Sequence, residues 1–216
     1  MKLTAFQYGK TELAEAMIFE NGSFDIKQPI ALLFFLIETG DRKILVDVGC
    51  DTMPGFPLFE HKSPVEVLEE YVSRESITDV IITHAHHDHI EAVKYYKSAD
   101  VYLHRDSVKH AEPYNIEKLR IFDGSFTLCE GVEVIEIGGH SFGSCIVRLD
   151  SLVLCGDECY SEKNLTDLIM TGSSVNRENS LAFLTEYRKP CYSPILFHSP
   201  SVVGFVGHRI LFETDV

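Results

Sequence analysis

His84-Ala-His-His-Asp-His89 constrains this chain more than any other stretch. In the order H-x-H-x-D-H, three imidazoles and a carboxylate fall within six residues. Imidazole nitrogen and carboxylate oxygen are the donors that suit a borderline metal such as zinc. Asp79-Val-Ile-Ile-Thr83 reads as a short buried strand, and Ile90 to Tyr96 reads as a helix. The cluster therefore belongs to a strand-to-helix turn, where side chains converge and can grip metal. His87 occupies one of the x positions and is expected to point away from metal.

One turn cannot enclose two ions, so further donors are expected at other strand ends. Gly138-Gly-His140-Ser-Phe-Gly143 offers His140, with glycines that allow close backbone approach. Leu154-Cys-Gly-Asp157 ends an apolar strand on a carboxylate. Pro194-Ile-Leu-Phe-His198 ends another on a histidine, with His208 as its rival. His61, His104 and His110 lack such a setting and read as surface residues.

Short apolar runs recur as strands: 3–8, 31–38, 43–48, 79–83, 101–104, 132–137, 145–149, 152–155 and 194–198. Ser63-Pro-Val-Glu66 reads as a helix start, with Ser63 as cap, Pro64 in the first turn and Glu66 closing a capping box. Val65, Leu68, Tyr71 and Val72 would form its apolar stripe. A second helix is expected after Asn176, with Leu181, Leu184 and Tyr187 inward. No linker composition interrupts the 216 residues, so a single domain over 1–216 is expected. The order of elements fits two packed sheets with outer helices, and fits a plain three-layer α/β fold equally well.

The chain carries 33 acidic and 19 basic residues, a formal net charge of −14. Such a surface repels polyanions, so nucleic acid and anionic membrane are poor partners, and a small-molecule substrate is expected instead. The longest apolar run, Ile30 to Ile37, is far below a membrane span. No export signal is visible, and six cysteines show no framework spacing. Reduced thiols and a cytoplasmic location follow as expectations. Oligomeric state is not readable.

H-x-H-x-D-H, then Gly139-His140-Ser, then Gly156-Asp157, then a strand-end His198, resembles the metallo-β-lactamase superfamily. Leu45-Val-Asp47-Val-Gly49 matches a supporting-Asp strand of that family. The resemblance runs from about Ala31 to Pro200. It implies an α/β fold, the αββα four-layer sandwich, with metals at one rim of the sheets. It further implies that His84, His86 and His140 hold one ion, that Asp88, His89 and His198 hold another, and that Asp157 bridges them. The ions are two divalent transition metals, zinc first, with iron, manganese or cobalt also suited to the donors. Two metals about 3.5–4 Å apart can share a hydroxide and lower its pKa to near neutral. Asp47 would support a ligand histidine.

Asp157-Glu-Cys-Tyr160 is similar to the dinuclear zinc N-acyl-homoserine lactonases, in which the Tyr hydroxyl aids the substrate carbonyl. That resemblance implies an enzyme that opens a lactone ring, or cleaves a similar small ester, by a metal-bridging hydroxide. Tyr160 would assist the oxyanion, and Asp88 would carry a proton to the leaving alkoxide. Phosphodiester or thioester hydrolysis by the same centre is an alternative, as is a metal-binding sensor without turnover. Departures that bear on substrate are Phe142 in place of a Pro, Ser144 in place of a second His, and Ser199 where Asp or Gly normally follows the last ligand. Met53-Pro-Gly-Phe-Pro-Leu-Phe59 is an apolar loop that could line an acyl pocket, cover the core or form a dimer contact.

Overall fold

A computed structural model describes residues 1–214. Two sheets organise the chain, which clusters into two compact units.

The first unit comprises residues 1–11, 31–122 and the segment from 200 onward. Its sheet is ordered β12-β1-β2-β3-β4-β5-β6. These strands are β1 (Lys2–Ala14), β2 (Lys27–Thr39), β3 (Arg42–Val46), β4 (Asp79–Ile81), β5 (Asp100–His104), β6 (Leu119–Phe122) and, last in the chain, β12 (Gly207–Glu213). From β3 to β6 the strands run parallel. Parallel neighbours need crossovers, and short helices appear between them. α2 (Pro64–Glu69) lies between β3 and β4, α3 (His87–Ile90) between β4 and β5, and α4 (Val108–Ala111) between β5 and β6. The core of this unit gathers Phe6, Phe34, Leu45, Val80, Ile82 and Ile90. Phe6 and Phe34 stack at 5.0 Å. Burying each such side chain stabilises the fold by about 1.5–3 kcal/mol.

The second unit comprises residues 12–30 and 123–199. Its sheet is ordered β11-β10-β9-β8-β7, from β7 (Phe126–Cys129), β8 (Val132–Glu136), β9 (Cys145–Leu149), β10 (Leu152–Leu154) and β11 (Ser193–Ile195). β7 to β10 form an antiparallel meander, whereas β10 and β11 pair in parallel. Helices α1 (Glu15–Ile18), α5 (Glu162–Asp167) and α6 (Arg177–Tyr187) belong to this unit. Its core joins Ile146 and Val153 to Phe183 and Leu184 of α6.

Several local expectations are corrected. Ser63 precedes α2 but makes no side-chain cap; its hydroxyl donates to Asp51 Oδ1 at 2.6 Å. The helix expected over Ile90 to Tyr96 is instead one α-helical turn, His87–Ile90, that starts within the motif, followed by a tighter 3-10 segment, Glu91–Tyr95. In α6 the buried stripe is Ser180, Phe183, Leu184 and Tyr187, while Leu181 is exposed. His104 is buried rather than at the surface, and its Nδ1 accepts from Asp106 N. Among the described residues no helix is long and apolar enough to cross a membrane.

Candidate functional site

In the first unit the candidate ligands leave the carboxyl end of β4, where ligands bind in parallel α/β sheets. β3 lies alongside with Val46 opposite Ile81, so the residue after Val46 sits beside the ligand turn. That residue is Asp47, in a left-handed conformation with φ 58°. Its amide donates to Ile81 O at 2.8 Å. Its buried carboxylate accepts from Thr83 N and Thr83 Oγ1, both at 2.7 Å, and meets His89 Nδ1 at 2.6 Å. A proton on Nδ1, facing that carboxylate, leaves the ring lone pair on Nε2. Burial pushes the pKa of Asp47 up, while His89 and Thr83 pull it back.

The other residues of the turn crowd together. The ring of His84 lies 4.4 Å from that of His86 and 4.1 Å from that of His89, centre to centre. Thr83 Oγ1 is 3.1 Å from His84 Nδ1. His84 and His89 are buried, Asp88 is half-buried and His86 is exposed. Asp88 Oδ2 lies 3.7 Å from His89 Nε2, and the Asp88 carbonyl accepts from the buried Tyr8 hydroxyl at 3.1 Å. His87 Nδ1 instead meets the Tyr114 hydroxyl at 3.1 Å.

In the second unit the candidates come from three separate loops. β10 and β11 are parallel with Leu154 opposite Ile195. Asp157 and His198 each follow three residues later, so the register carries both to the same end of the sheet. His198 Nε2 lies 3.0 Å from Asp157 Oδ1. His140 arrives on the loop between β8 and β9, with Nε2 3.6 Å from Asp157 Oδ2. Ser173 Oγ holds the other ring nitrogen of His140 at 3.1 Å. Tyr160 donates its hydroxyl to Asp157 Oδ2 at 2.6 Å and stacks on His198 at 5.0 Å. All four side chains are buried. His208, the rival to His198, belongs to β12 of the first unit, where its ring packs 4.8 Å from Tyr71.

The position of Tyr160 is fixed by the start of α5. Ser161 and Asn164 form a capping box, and Asn164 also donates to Ile18 O and Ile169 O at 2.9 and 2.8 Å. Glu158 was not anticipated from sequence. It is buried against the His140 loop, and burial raises its pKa to about 7. The available signal was a charged residue inside the apolar run from Leu152 to Cys159. In each unit the donors are imidazole nitrogens and carboxylate oxygens held close together, a set that fits a borderline transition metal.

Comparison with known proteins bears on the family. The family model described as the metallo-beta-lactamase superfamily matches residues 33–167. A probable metallo-hydrolase of Methanocaldococcus jannaschii is 30% identical over 118 residues. That match covers 55% of this chain and 55% of the relative, so the chain spans about half the length of that protein. The N-acyl homoserine lactonase AiiB of Agrobacterium fabrum is 22% identical over 76% of this chain and 79% of its own. Among solved structures, an N-acyl homoserine lactone hydrolase with the product N-hexanoyl-L-homoserine at its catalytic metal centre superimposes with a TM-score of 0.81. It covers 93% of this chain and 94% of that one at 16% identity, a likeness that shows a shared fold.

Proposed function

Because this chain belongs to the metallo-beta-lactamase superfamily, we propose that it is a metal-dependent hydrolase that opens the lactone ring of N-acyl homoserine lactones or a closely related small ester. His84, His86 and His140 would hold one divalent ion, and Asp88, His89 and His198 a second, with Asp157 shared. Residues 1–216 are read as one domain because no linker composition interrupts them. Zinc suits the N/O donors, and iron, manganese or cobalt are tolerated by the same set. A cytoplasmic setting suits the six free cysteines, and the acidic surface favours a small-molecule substrate over nucleic acid or membrane.

The observation that carries the lactonase reading is the Tyr160 hydroxyl, held 2.6 Å from Asp157 Oδ2. The metal pair, when bound, supplies Lewis acidity and lowers the pKa of water. Water adds to the lactone carbonyl carbon, the ring C–O bond breaks, and the products are a carboxylate and an alcohol. As charge develops on the carbonyl oxygen, the Tyr160 hydroxyl turns from Asp157 and donates to it. Asp88, half-buried in its turn, takes the proton that the adding water gives up and passes it to the departing alkoxide. His198, stacked on the Tyr160 ring, limits where that phenol can swing.

Metal analysis followed by a panel of lactone, thioester and phosphodiester substrates on one preparation tests this. The expected outcome is two ions per chain and a preference for lactone. Tyr160→Phe keeps both ions and slows lactone opening by up to about 10²–10³-fold, the range for one lost oxyanion donor. A phosphodiester preference would move the substrate class. Bound metal with no turnover would leave a sensor, and an unchanged Tyr160→Phe rate would return that residue to packing.

A further inference from the structure

We propose that Glu158 is a positioning residue, which clamps the His140 loop onto the Asp157 turn and so sets the spacing of these two ligands. The inference rests on the metal-centre reading above and adds a residue to it.

Glu158 directly follows Asp157 and is 1% exposed. Its two carboxylate oxygens accept from the same backbone N–H, that of His140, at 3.2 and 3.1 Å. Ser144 Oγ donates to Oε1 at 2.5 Å. The Glu158 carboxylate therefore reaches both the ligand position and the far end of the loop. That loop is closed on itself, since Ile137 N and Gly138 N both donate to Ser144 O at 2.9 Å. Gly138 and Gly143 turn it with φ 65° and 70°. Gly139 lets Glu158 in: a Cβ there would stand 2.4 Å from Glu158 Oε2 and 2.6 Å from Ser180 Oγ. No side chain larger than hydrogen fits without displacing the carboxylate.

A buried carboxylate is costly unless hydrogen-bonded. Among the described residues the partners of Glu158 are neutral N–H and O–H donors, each belonging to the His140 loop or its rim. The cost is offset only while that loop stays in place, which makes the clamp specific. Ser173 steers the imidazole of His140 through Nδ1. Glu158 fixes the main chain that bears it. Ser144, which departs from the family's second His, is the hydroxyl that completes the clamp.

Chelator-competition titration of the holo-protein tests the role without relying on turnover. The wild type should release two ions in two steps. Glu158→Gln keeps the shape but replaces one acceptor with an N–H₂ group facing donors. It should weaken the ion assigned to His140 by about 10–100-fold, the usual effect of losing a group that orients a metal ligand, and the other, which shares only Asp157 with it, by clearly less. Ser144→Ala, a milder change, should weaken the same ion by less, and it decides the matter if Glu158→Gln fails to fold. Both variants titrating like wild type would overturn the proposal. So would equal weakening of both ions together with a lowered Tm, the signature of a general packing role. A wild-type chain that binds no metal would sink the metal reading and this inference with it, and that arm is read before any variant is made.

Discussion

The two groups of candidate ligands are built in opposite ways. In the first unit four candidates share one six-residue turn, whose side chains are held by one carboxylate, Asp47, and whose carbonyls accept from the Tyr8 hydroxyl and Val48 N. In the second unit three candidates come from loops at positions 140, 157 and 198, and a web of side chains holds them: Glu158, Ser144, Ser173, Asn164 and Tyr160. A contiguous turn needs few side-chain anchors because the backbone already sets most of the geometry. Dispersed ligands need an anchor for each loop, and the energy of that positioning is spread over many hydrogen bonds of about 0.5–1.5 kcal/mol each.

The largest effect that separates the two units should come from Asp157→Ala. Asp157 touches His140, His198 and Tyr160 within its own unit, so its loss removes the hub of the dispersed set. In the proposed assignment it also removes a donor from both ions. The expected loss of activity is about 10³-fold or more, beyond the 10–100-fold typical of an outer supporting group. Metal content should fall with it. His86→Ala, at the exposed edge of the contiguous turn, should cost less in both measures. Equal losses, or an Asp157→Ala protein with two ions and normal turnover, would break the contrast between hub and turn.

Asp47→Asn comes next and tests the one carboxylate that anchors the turn. The φ of 58° is one that Asn adopts readily, so the backbone is kept. Three groups converge on the carboxylate: Thr83 N, Thr83 Oγ1 and His89 Nδ1. An amide can accept from only some of them, and leaving a buried donor without an acceptor costs about 1–3 kcal/mol. Thermal unfolding of the metal-free variant should show that loss. In the second unit, where no one group anchors all the loops, Ser173→Ala should lower stability by much less. A larger drop for Ser173→Ala would mean that the dispersed web is the more brittle of the two.

The same contrast explains what could be read from the sequence. The contiguous turn is legible because its donors sit side by side and announce their chemistry. His140, Asp157 and His198 are legible only as strand-end residues whose order matches a family, since nothing in their spacing shows that β10 and β11 are neighbours in register. Glu158 is missed because a buried charge is recognised by its partners, and those lie 14 and 18 positions away. The strands that escaped notice, β6, β7 and β12, are all sheet edges. Edge strands keep polar residues on an exposed side, which dilutes the apolar signal. Leu181 misled because the stripe of α6 passes through Ser180, whose hydroxyl is satisfied by Ser174 Oγ at 2.9 Å. At Ser63 no cap forms, and its hydroxyl is turned to Asp51, a contact that no local pattern shows.

The smallest effect concerns thiols and sharpens the contrast without touching a ligand. The first unit holds one cysteine, Cys50, packed under the turn with its Sγ 3.6 Å from the Tyr8 hydroxyl. Burial raises its pKa to about 12. The reactive species is the thiolate, and pH 8 is about four units below that value, so only on the order of one molecule in 10⁴ is ionised there. Cys145, Cys155 and Cys159 of the second unit are also buried, whereas Cys191 is exposed and Cys129 intermediate. Alkylation of the folded protein at pH 8, followed by peptide mass mapping, should therefore label Cys191 first, Cys129 more slowly, and Cys50 last or not at all. Labelling at Cys50 requires local opening of the segment that links Asp47 to the ligand turn. If Cys50 reacts as fast as Cys191, the contiguous turn is not the rigid half of the pair. If Asp47→Asn speeds labelling at Cys50 while leaving Cys191 unchanged, that single carboxylate is what keeps the turn shut.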